Sequence, residues 1–500
     1  MNLQLIERAK KYEKSIAIVA SEGKFTYQNL LRSSAQIATL LLDGKEDLQE
    51  QRVAFLIPSG FQYVTTLWGI WRAGGIAMPL CVAHPRPELE YAIADSGASI
   101  IIAHPDFAAL LHPIAIERGL RFILTSEILS DNICALPDVD LTRRALILYT
   151  SGTTGKPKGV VTLHQNIQAQ VTSLVSAWEW TSSDRILHVL PLHHIHGIIN
   201  VLTCALWAGA ECLMLPKFDA KIVWERIIDS NLTLFMAVPT IYVKLINAWE
   251  SADFELQQKM SQGCTQMRLM VSGSAALPVQ VLEKWQQISG HFLLERYGMT
   301  EIGMALSNPL HGERLAGYVG KPLPEVEVRL VDENDNLVLA DTPGEVQVKS
   351  PGVFLEYWQK PEATAASFRD GWFCTGDLAV VENDNYRLLG RLSVDIIKTG
   401  GYKVSALEIE SVLLTHPLIQ DCAVVGLPNL EWGEQVCAVL VLVPGGDLTL
   451  ELLRIWGKER LAIYKVPTRM VVVNELTRNA MGKVTKGELV RQLQDGSLVK

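Results

Sequence analysis

Residues 52 to 57, RVAFLI, make an unbroken apolar run of the length a buried strand needs, and 61 to 72 read as a helix behind it. Gly74-Gly75 punctuates the chain before a second apolar run that ends at Pro79. Short apolar runs separated by helix-length segments recur at 98–102, 145–150, 186–190, 210–215 and 268–272. Runs without polar alternation are what strands covered on both faces require, so the pattern predicts an α/β region built on parallel sheets.

The rhythm changes near residue 317. Alternating segments such as VEVRLVDE and GEVQVKS, set between Gly, Pro and Asp-Asn turns, predict a β-rich subdomain over about 317–390, a small distorted barrel. After Gly390-Arg391 a smaller α+β unit follows, with helices expected at 405–415 and 449–461 and strands at 421–426 and 436–443. The expected organisation is therefore a large domain over 1–390, made of two α/β subdomains and the small barrel, and a small mobile C-terminal domain over 391–500. A chain of 500 residues exceeds what one hydrophobic core usually supports, which agrees with that division.

A net charge of -9 without a basic block argues against nucleic acid as the principal partner. The eight cysteines form no close CxxC pair, as expected of reduced thiols, and no stretch reaches 18 uncharged apolar residues. The opening MNLQLIERAKKYEKS has charges of both signs and no apolar segment of signal-peptide kind; cytoplasm is the expected compartment, with no membrane. Monomer and homodimer both remain open.

Three clusters carry chemistry. The first, YTSGTTGKPKGV at 149–160, packs glycines and hydroxyl residues directly behind an apolar run. Such a loop presents several backbone N–H groups at once, which suits oligophosphate oxygens, and Lys156 and Lys158 add point charges. Its GK is followed by Pro, so it is not the P-loop of an ordinary NTPase.

The second cluster is LMVSGSAALP at 269–278 with ERYGMTE at 295–301. Glu301, after a Gly-Met-Thr turn, is either a carboxylate for a magnesium ion bridging ATP phosphates or a solvated surface acid. Tyr297 can stack on adenine and Thr300 can donate to a phosphate oxygen. The third runs from GWFCTGD at 371–377 through GRLSVDIIKTGGYKVSALEIE at 390–410. Asp377 has the acceptor chemistry for ribose hydroxyls, and Arg391 adds a charge-assisted donor. Gly400 and Gly401 either line a passage for an extended thiol or form a simple hairpin turn. In RNAMGKVTK at 478–486, Lys483 lies in a glycine-containing loop able to cross a cleft toward developing negative charge.

These clusters, in this order, resemble the adenylate-forming superfamily of acyl-CoA synthetases, adenylation domains and luciferases. Within it the chain looks most like malonyl-CoA and methylmalonyl-CoA synthetases, in HVLPLHHIHG at 188–197, VGKPLPEV at 319–326, LLERYGMTE at 293–301 and VDIIKTGGYKVSALEIE at 394–410. The resemblance implies an acid–thiol ligase using ATP, Mg2+ and coenzyme A: an acyl-adenylate forms with release of pyrophosphate, and the CoA thiolate then displaces AMP. It assigns Lys483, Thr154 and Glu301 to catalysis, the last two also to the metal. It assigns nucleotide contacts to Thr150, Ser151, Gly152, Thr153, Thr154, Gly155, Lys156, Lys158, Ser274, Ala275, Glu295, Tyr297, Gly298, Thr300, Asp377 and Arg391. Gly400 and Gly401 belong to the CoA passage, and a hinge is expected at Ser393 to Asp395.

A second carboxylate on the substrate needs a resident cation, because burying it unpaired costs several kcal/mol. Arg296 is the first candidate and Arg268 the second; the competing reading for either is a salt bridge to a neighbouring acid such as Glu295. His194 and Ser274 complete the polar end of the expected acyl pocket, and Met304 limits its length. HHIH at 193–196 has no carboxylate or cysteine close in sequence, so packed or substrate-facing histidines are expected there rather than zinc. An amino-acid adenylation domain is disfavoured because FMAVPT at 235–240 holds no acid. A medium-chain fatty-acyl or aryl-CoA ligase is the alternative that keeps every motif except the argument from Arg296.

Overall fold

The computed structural model describes residues 3–127, 133–150, 156–479 and 482–498. The run RVAFL forms the strand Arg52–Leu56 inside a seven-stranded sheet, between Ile76–Pro79 and Ile100–Ala103, all three parallel. The helix Phe61–Arg72 coincides with the helix expected at 61–72 and buries an almost continuous face from Tyr63 to Trp71. Gly69 lets it approach a neighbour, since a Cβ there would stand 2.5 Å from Ile37 Cγ2.

A second sheet of nine strands carries Arg185–His188, Glu211–Met214, Leu234–Ala237, Leu269–Ser272 and Leu294–Met299 in parallel, with antiparallel strands at both edges. The apolar runs at 186–190, 210–215 and 268–272 are three of these strands, each displaced from the expected bounds by a residue or two. Strands of both sheets share one hydrophobic core with large side chains from the helices packed on them, among them Trp68, Trp71 and Trp285.

The alternating segments after 317 become Glu327–Val331 and Gly344–Lys349, which pair with each other; Gly344–Lys349 also pairs with Trp372–Glu382, and that strand with Asn385–Arg391, in a curled antiparallel sheet. This is the expected small barrel, left open at its ends. Beyond it, Ile396–Thr399, Tyr402–Ser405, Ile419–Asn429, Gly433–Leu442 and Arg469–Val472 form a last sheet covered by the helices Ala406–Leu413, Leu450–Lys458 and Lys486–Asp495. Gly400 and Gly401, with φ of 55° and 83°, make the two-residue turn between the first two of these strands. Left-handed backbone at both positions is the geometry that favours glycine in a tight hairpin.

Arg268 corrects one expectation. It does not face an acid substrate: its Nε and Nη2 each donate to Asp184 at 2.7 Å, and its Nη1 donates to the Trp178 carbonyl at 2.8 Å. Asp184 also accepts from Thr233 and from the Thr181 amide, so one buried carboxylate ties together the entries to three strands. Breaking a buried pair from one side leaves the other charge uncompensated. Arg268→Ala is expected to lower stability by about 3 kcal/mol, read from urea unfolding, while the surviving enzyme keeps the substrate preference of the parent chain.

Candidate active site

The strand Leu294–Met299 and the turn after it bring most of the site together. Alternation along a strand sends Glu295 and Arg296 to opposite faces. Glu295 is buried with Oε1 accepting the Leu277 amide at 3.1 Å, so it neither pairs with Arg296 nor reaches Asp377 by a hydrogen bond. Burial pushes its carboxyl up to about 8, and Oε2 has no partner within the protein. The salt bridge weighed for Arg296 is therefore not made.

Arg296 is 3% exposed, and its Nε and Nη2 have no acceptor among the described residues. Burial pulls the guanidinium down to about 9, still charged at neutral pH. The fork lies against Gly273, where a Cβ would stand 2.5 Å from Cζ; glycine is what makes room for it. The next residue, Ser274, takes a left-handed φ of 69° and its Oγ meets His196 Nδ1 at 3.2 Å.

His196 begins a wide helical turn, His196–Thr203, of the π type often found beside functional sites. A Cβ on Gly197 would strike the Pro191 carbonyl at 2.5 Å, which fixes how the chain enters that turn. His193, His194 and His196 are all held below the ordinary imidazole value, first by burial; His193 presses on His194, and Arg296 on His196. Each has a buried Nε2 without a protein partner. The pocket thus combines one cation with neutral imidazoles and a serine. Met304 is buried with its methyl over Gly298, where a Cβ would come within 2.3 Å of it.

On the nucleotide side, Asp377 and Arg391 are cross-strand partners, 3.2 Å apart from Oδ1 to Nε. Tyr297 donates its hydroxyl to Asp377 Oδ2 at 2.6 Å, and its ring packs into the curled sheet. Glu301 is buried, and Tyr357 Oη donates to its Oε1 at 2.9 Å. Burial holds the Glu301 carboxyl above its ordinary value, and no cation of the protein is paired with it among the described residues. A buried acid partnered by a neutral phenol suits a bound metal ion, whose charge would favour its ionised form.

The phosphate loop joins two antiparallel strands, Thr150 pairing with Lys158. Ser151, Gly152, Thr153, Thr154 and Gly155 lie outside the described residues. Around the stem, Tyr91 donates to the Pro157 carbonyl at 2.8 Å and Tyr149 to Asp95 at 2.9 Å. Lys156 and Lys158 lie over the rings of Tyr91 and Tyr357. Thr300 is half-buried beside Glu301, and Ala275 is exposed.

Lys483 reaches the site from the C-terminal unit. A bridge between Arg478 and Val484 forms the loop, and the Lys483 amide donates to Asn479 Oδ1 at 3.0 Å. Gly482 rests on Thr240, whose Oγ1 would be 2.9 Å from a Cβ there. The lysine keeps contact with water in a cleft walled by protein. Its ammonium is drawn down to about 8 by burial and by Arg391 and Arg296, against the attraction of Asp377 and Asp395. Ser393 is exposed in the turn after Arg391, and Asp395 closes that turn by accepting the Arg391 amide at 3.1 Å.

The geometry is that of an enzyme that activates an acid with ATP. The AMP-binding enzyme family matches residues 5–358, and the AMP-binding enzyme C-terminal domain matches 408–483. The chain belongs to this family. Malonate–CoA ligase, mitochondrial, of Bos taurus is 47% identical over 97% of this chain and 89% of its own; that of Homo sapiens is 46% identical over 97% and 91%. ATP-bound MatB from Rhodopseudomonas palustris superposes with a TM-score of 0.91 at 32% identity over 99% of both chains. Apo MatB from the same organism, at the same identity and coverage, gives 0.81, so the arrangement of this chain is nearer the ATP-bound one.

The cytoplasmic expectation is corrected by these relatives, which are mitochondrial by name. No helix among the described residues is long and apolar enough to cross a membrane.

Tyr357 was not legible as a site residue, and His196 was not singled out among the histidines expected to be packed or substrate-facing. His196 was visible only as part of a histidine run, and nothing local to Tyr357 announces a partner 56 residues away. Glu295 offers a direct measurement. With its folded value near 8, above the ordinary 4.5, its contribution to stability is full below pH 4.5 and is lost as pH rises through about 8. Against Glu295→Gln, which keeps the acceptor for Leu277, the wild type is expected to lose stability over that window at up to about 1 kcal/mol per pH unit. Urea unfolding at pH 5 and pH 8 reads the difference; equal stabilities of the two proteins at both values would refute the buried neutral acid.

Proposed function

We propose that the protein is an ATP-dependent, AMP-forming ligase that joins malonate, or its methyl derivative, to coenzyme A. The single observation that carries the choice of acid is Arg296, a buried guanidinium with two N–H-bearing nitrogens left without a protein acceptor, beside the His196–Ser274 pair. A terminal carboxylate matches that fork, whereas an apolar chain would leave the charge uncompensated. The malonate–CoA ligases above support the same reading.

One carboxylate of the acid rests on Arg296, with Ser274, His194 and His196 at its rim, and Met304 closes the pocket behind it. The other carboxylate attacks the α-phosphorus of ATP, forming the acyl-adenylate and expelling pyrophosphate. Asp377 holds the ribose hydroxyls, with Tyr297 and Arg391 fixing its two oxygens. The phosphate loop, Thr150 to Gly155 with Lys156 and Lys158, holds the leaving phosphates. Glu301 and Thr154 would hold Mg2+, which neutralises phosphate charge when bound. Lys483 donates to the carboxylate and α-phosphate oxygens as negative charge develops there. The CoA thiolate then attacks the acyl carbon and AMP departs. Division of the chain at residue 391, with a mobile C-terminal unit turning near Ser393 to Asp395 and Gly400-Gly401 lining the thiol passage, is part of this proposal.

Arg296→Ala is expected to lower kcat/KM for malonate by roughly 100-fold or more, the equivalent of about 3 kcal/mol for an unpaired buried charge, while any activity on butyrate is retained or rises. AMP release across malonate, methylmalonate, succinate, acetate, butyrate, octanoate and benzoate reads this. A parent preference for a monoacid, untouched by the variant, would move the protein to the medium-chain or aryl ligases.

Lys483→Ala is expected to lose adenylation by roughly 100-fold or more and to keep thioester formation from supplied malonyl-adenylate. The ammonium is the active form, so kcat/KM for adenylation falls as pH rises past about 8. In the ATP complex the phosphates favour the ammonium, so the corresponding limb of kcat lies at higher pH.

A further inference from the structure

Lys486 begins the helix Lys486–Asp495, three residues beyond Lys483. Its ammonium is nearly buried and lies 2.5 Å from Asp395 Oδ1 and 2.7 Å from Glu410 Oε1. Glu410 comes from the helix Ala406–Leu413 and its Oε1 also accepts the Val424 amide at 2.7 Å. Two carboxylates thus share one lysine. Burial, which opposes the charge on Lys486, is outweighed by Glu410 and Asp395, while burial holds the Glu410 carboxyl up.

Asp395 is the other half of the arrangement. Its Oδ2 accepts the Arg391 amide, its own amide donates to the Arg391 carbonyl at 2.8 Å, and its carbonyl accepts from Ala406 at 2.7 Å. The turn 391–395 is closed by this side chain together with backbone hydrogen bonds from Val394 and Asp395 to the Arg391 carbonyl. Gly390, at φ 121°, admits it: a Cβ there would stand 2.5 Å from Asp395 Cβ. Arg391 in turn pairs with Asp377. The contacts run without interruption from Asp377 through Arg391 and Asp395 to Lys486, at the foot of the Lys483 loop.

We propose that Lys486 is a positioning residue for the adenylation half-reaction: by tying the Lys483 loop to the turn at Asp395, it sets the catalytic lysine against the nucleotide site. Lys486 touches no substrate. It acts through the placement of Lys483 and matters where Lys483 does, in the arrangement that resembles the ATP-bound relative. The inference rests on the adenylating role proposed above and not on the identity of the acid.

The test compares the two half-reactions on the same preparations of Lys486→Met, Lys486→Arg and wild type. Adenylation is read as acid-dependent ATP–pyrophosphate exchange, and thioester formation as CoA consumption from supplied malonyl-adenylate. Lys486→Met is expected to slow exchange by roughly 100-fold, the scale of a misplaced catalytic group, with KM for ATP within about twofold because Asp377 and the phosphate loop are intact. The thioester half-reaction stays within about twofold of wild type. Lys486→Arg, which keeps the charge between both acids, recovers a large part of the exchange rate.

Equal losses in both half-reactions, tracking a lowered Tm, would reduce Lys486 to a fold contact and overturn the proposal; so would an unchanged exchange rate. Should Lys486→Met fail to fold, Lys486→Gln takes its place in the same comparison: it removes the charge shared by Asp395 and Glu410 but keeps a hydrogen-bond donor, and the same selective loss of exchange is expected. Wild-type exchange driven by an acid other than malonate would overturn the substrate reading alone, and the comparison then runs with that acid.

Discussion

An arginine buried without a protein counter-charge constrains everything around it. A solvated guanidinium moved into a protein interior loses several kcal/mol of hydration unless charge or hydrogen bonds replace it. At Arg296 the chain supplies neither to Nε and Nη2, and the adjacent acid in sequence, Glu295, is turned through the sheet to the Leu277 amide. The neighbouring histidines are neutral, and Gly273 is cut back to admit the fork. Each feature supports the proposed use of the cation for an anion that arrives from outside.

The nucleotide side follows the same logic with the signs mixed. Asp377 is an acid whose two oxygens are held by Tyr297 and Arg391, so it is oriented without being withdrawn from a ligand. Glu301 accepts from the Tyr357 phenol and feels Arg391 without forming an ion pair with it among the described residues, which fits the metal-binding role proposed for it. The lowered affinity of Lys483 for a proton comes first from burial and then from Arg391 and Arg296, against the attraction of Asp377 and Asp395. The polyanion ATP relieves the repulsion from the two arginines. Nucleotide and catalytic lysine therefore favour each other's presence in the cleft.

The legibility of this molecule in its sequence follows the range of the interactions. The helix Phe61–Arg72 and the strand Arg52–Leu56 were readable because their burial is written in local periodicity. The motif residues were readable because turns rich in Gly, Ser and Thr concentrate function into a few consecutive positions. Arg268 misled because its partner, Asp184, lies 84 residues away. Tyr357 and Lys486 stayed hidden for the same reason: a tyrosine in a short edge strand and a lysine at a helix start have no local feature that distinguishes them from structural residues. The compartment was misread because composition carries no address.

The division of labour inside the strand Leu294–Met299 explains how one scaffold supports different acids. Its alternation places Arg296 on the pocket face and Tyr297 on the face of the curled sheet, beside Asp377. On the proposed roles, one strand thus sets the acid with one residue and the ribose seat with the next. A substitution at 296 alters the chemistry that the pocket accepts without touching the hydrogen bond from Tyr297 to Asp377, whereas a change at 297 reaches the nucleotide first. Choice of acid and activation by ATP are thereby separable in the sequence by a single position, although they meet at the same phosphorus atom.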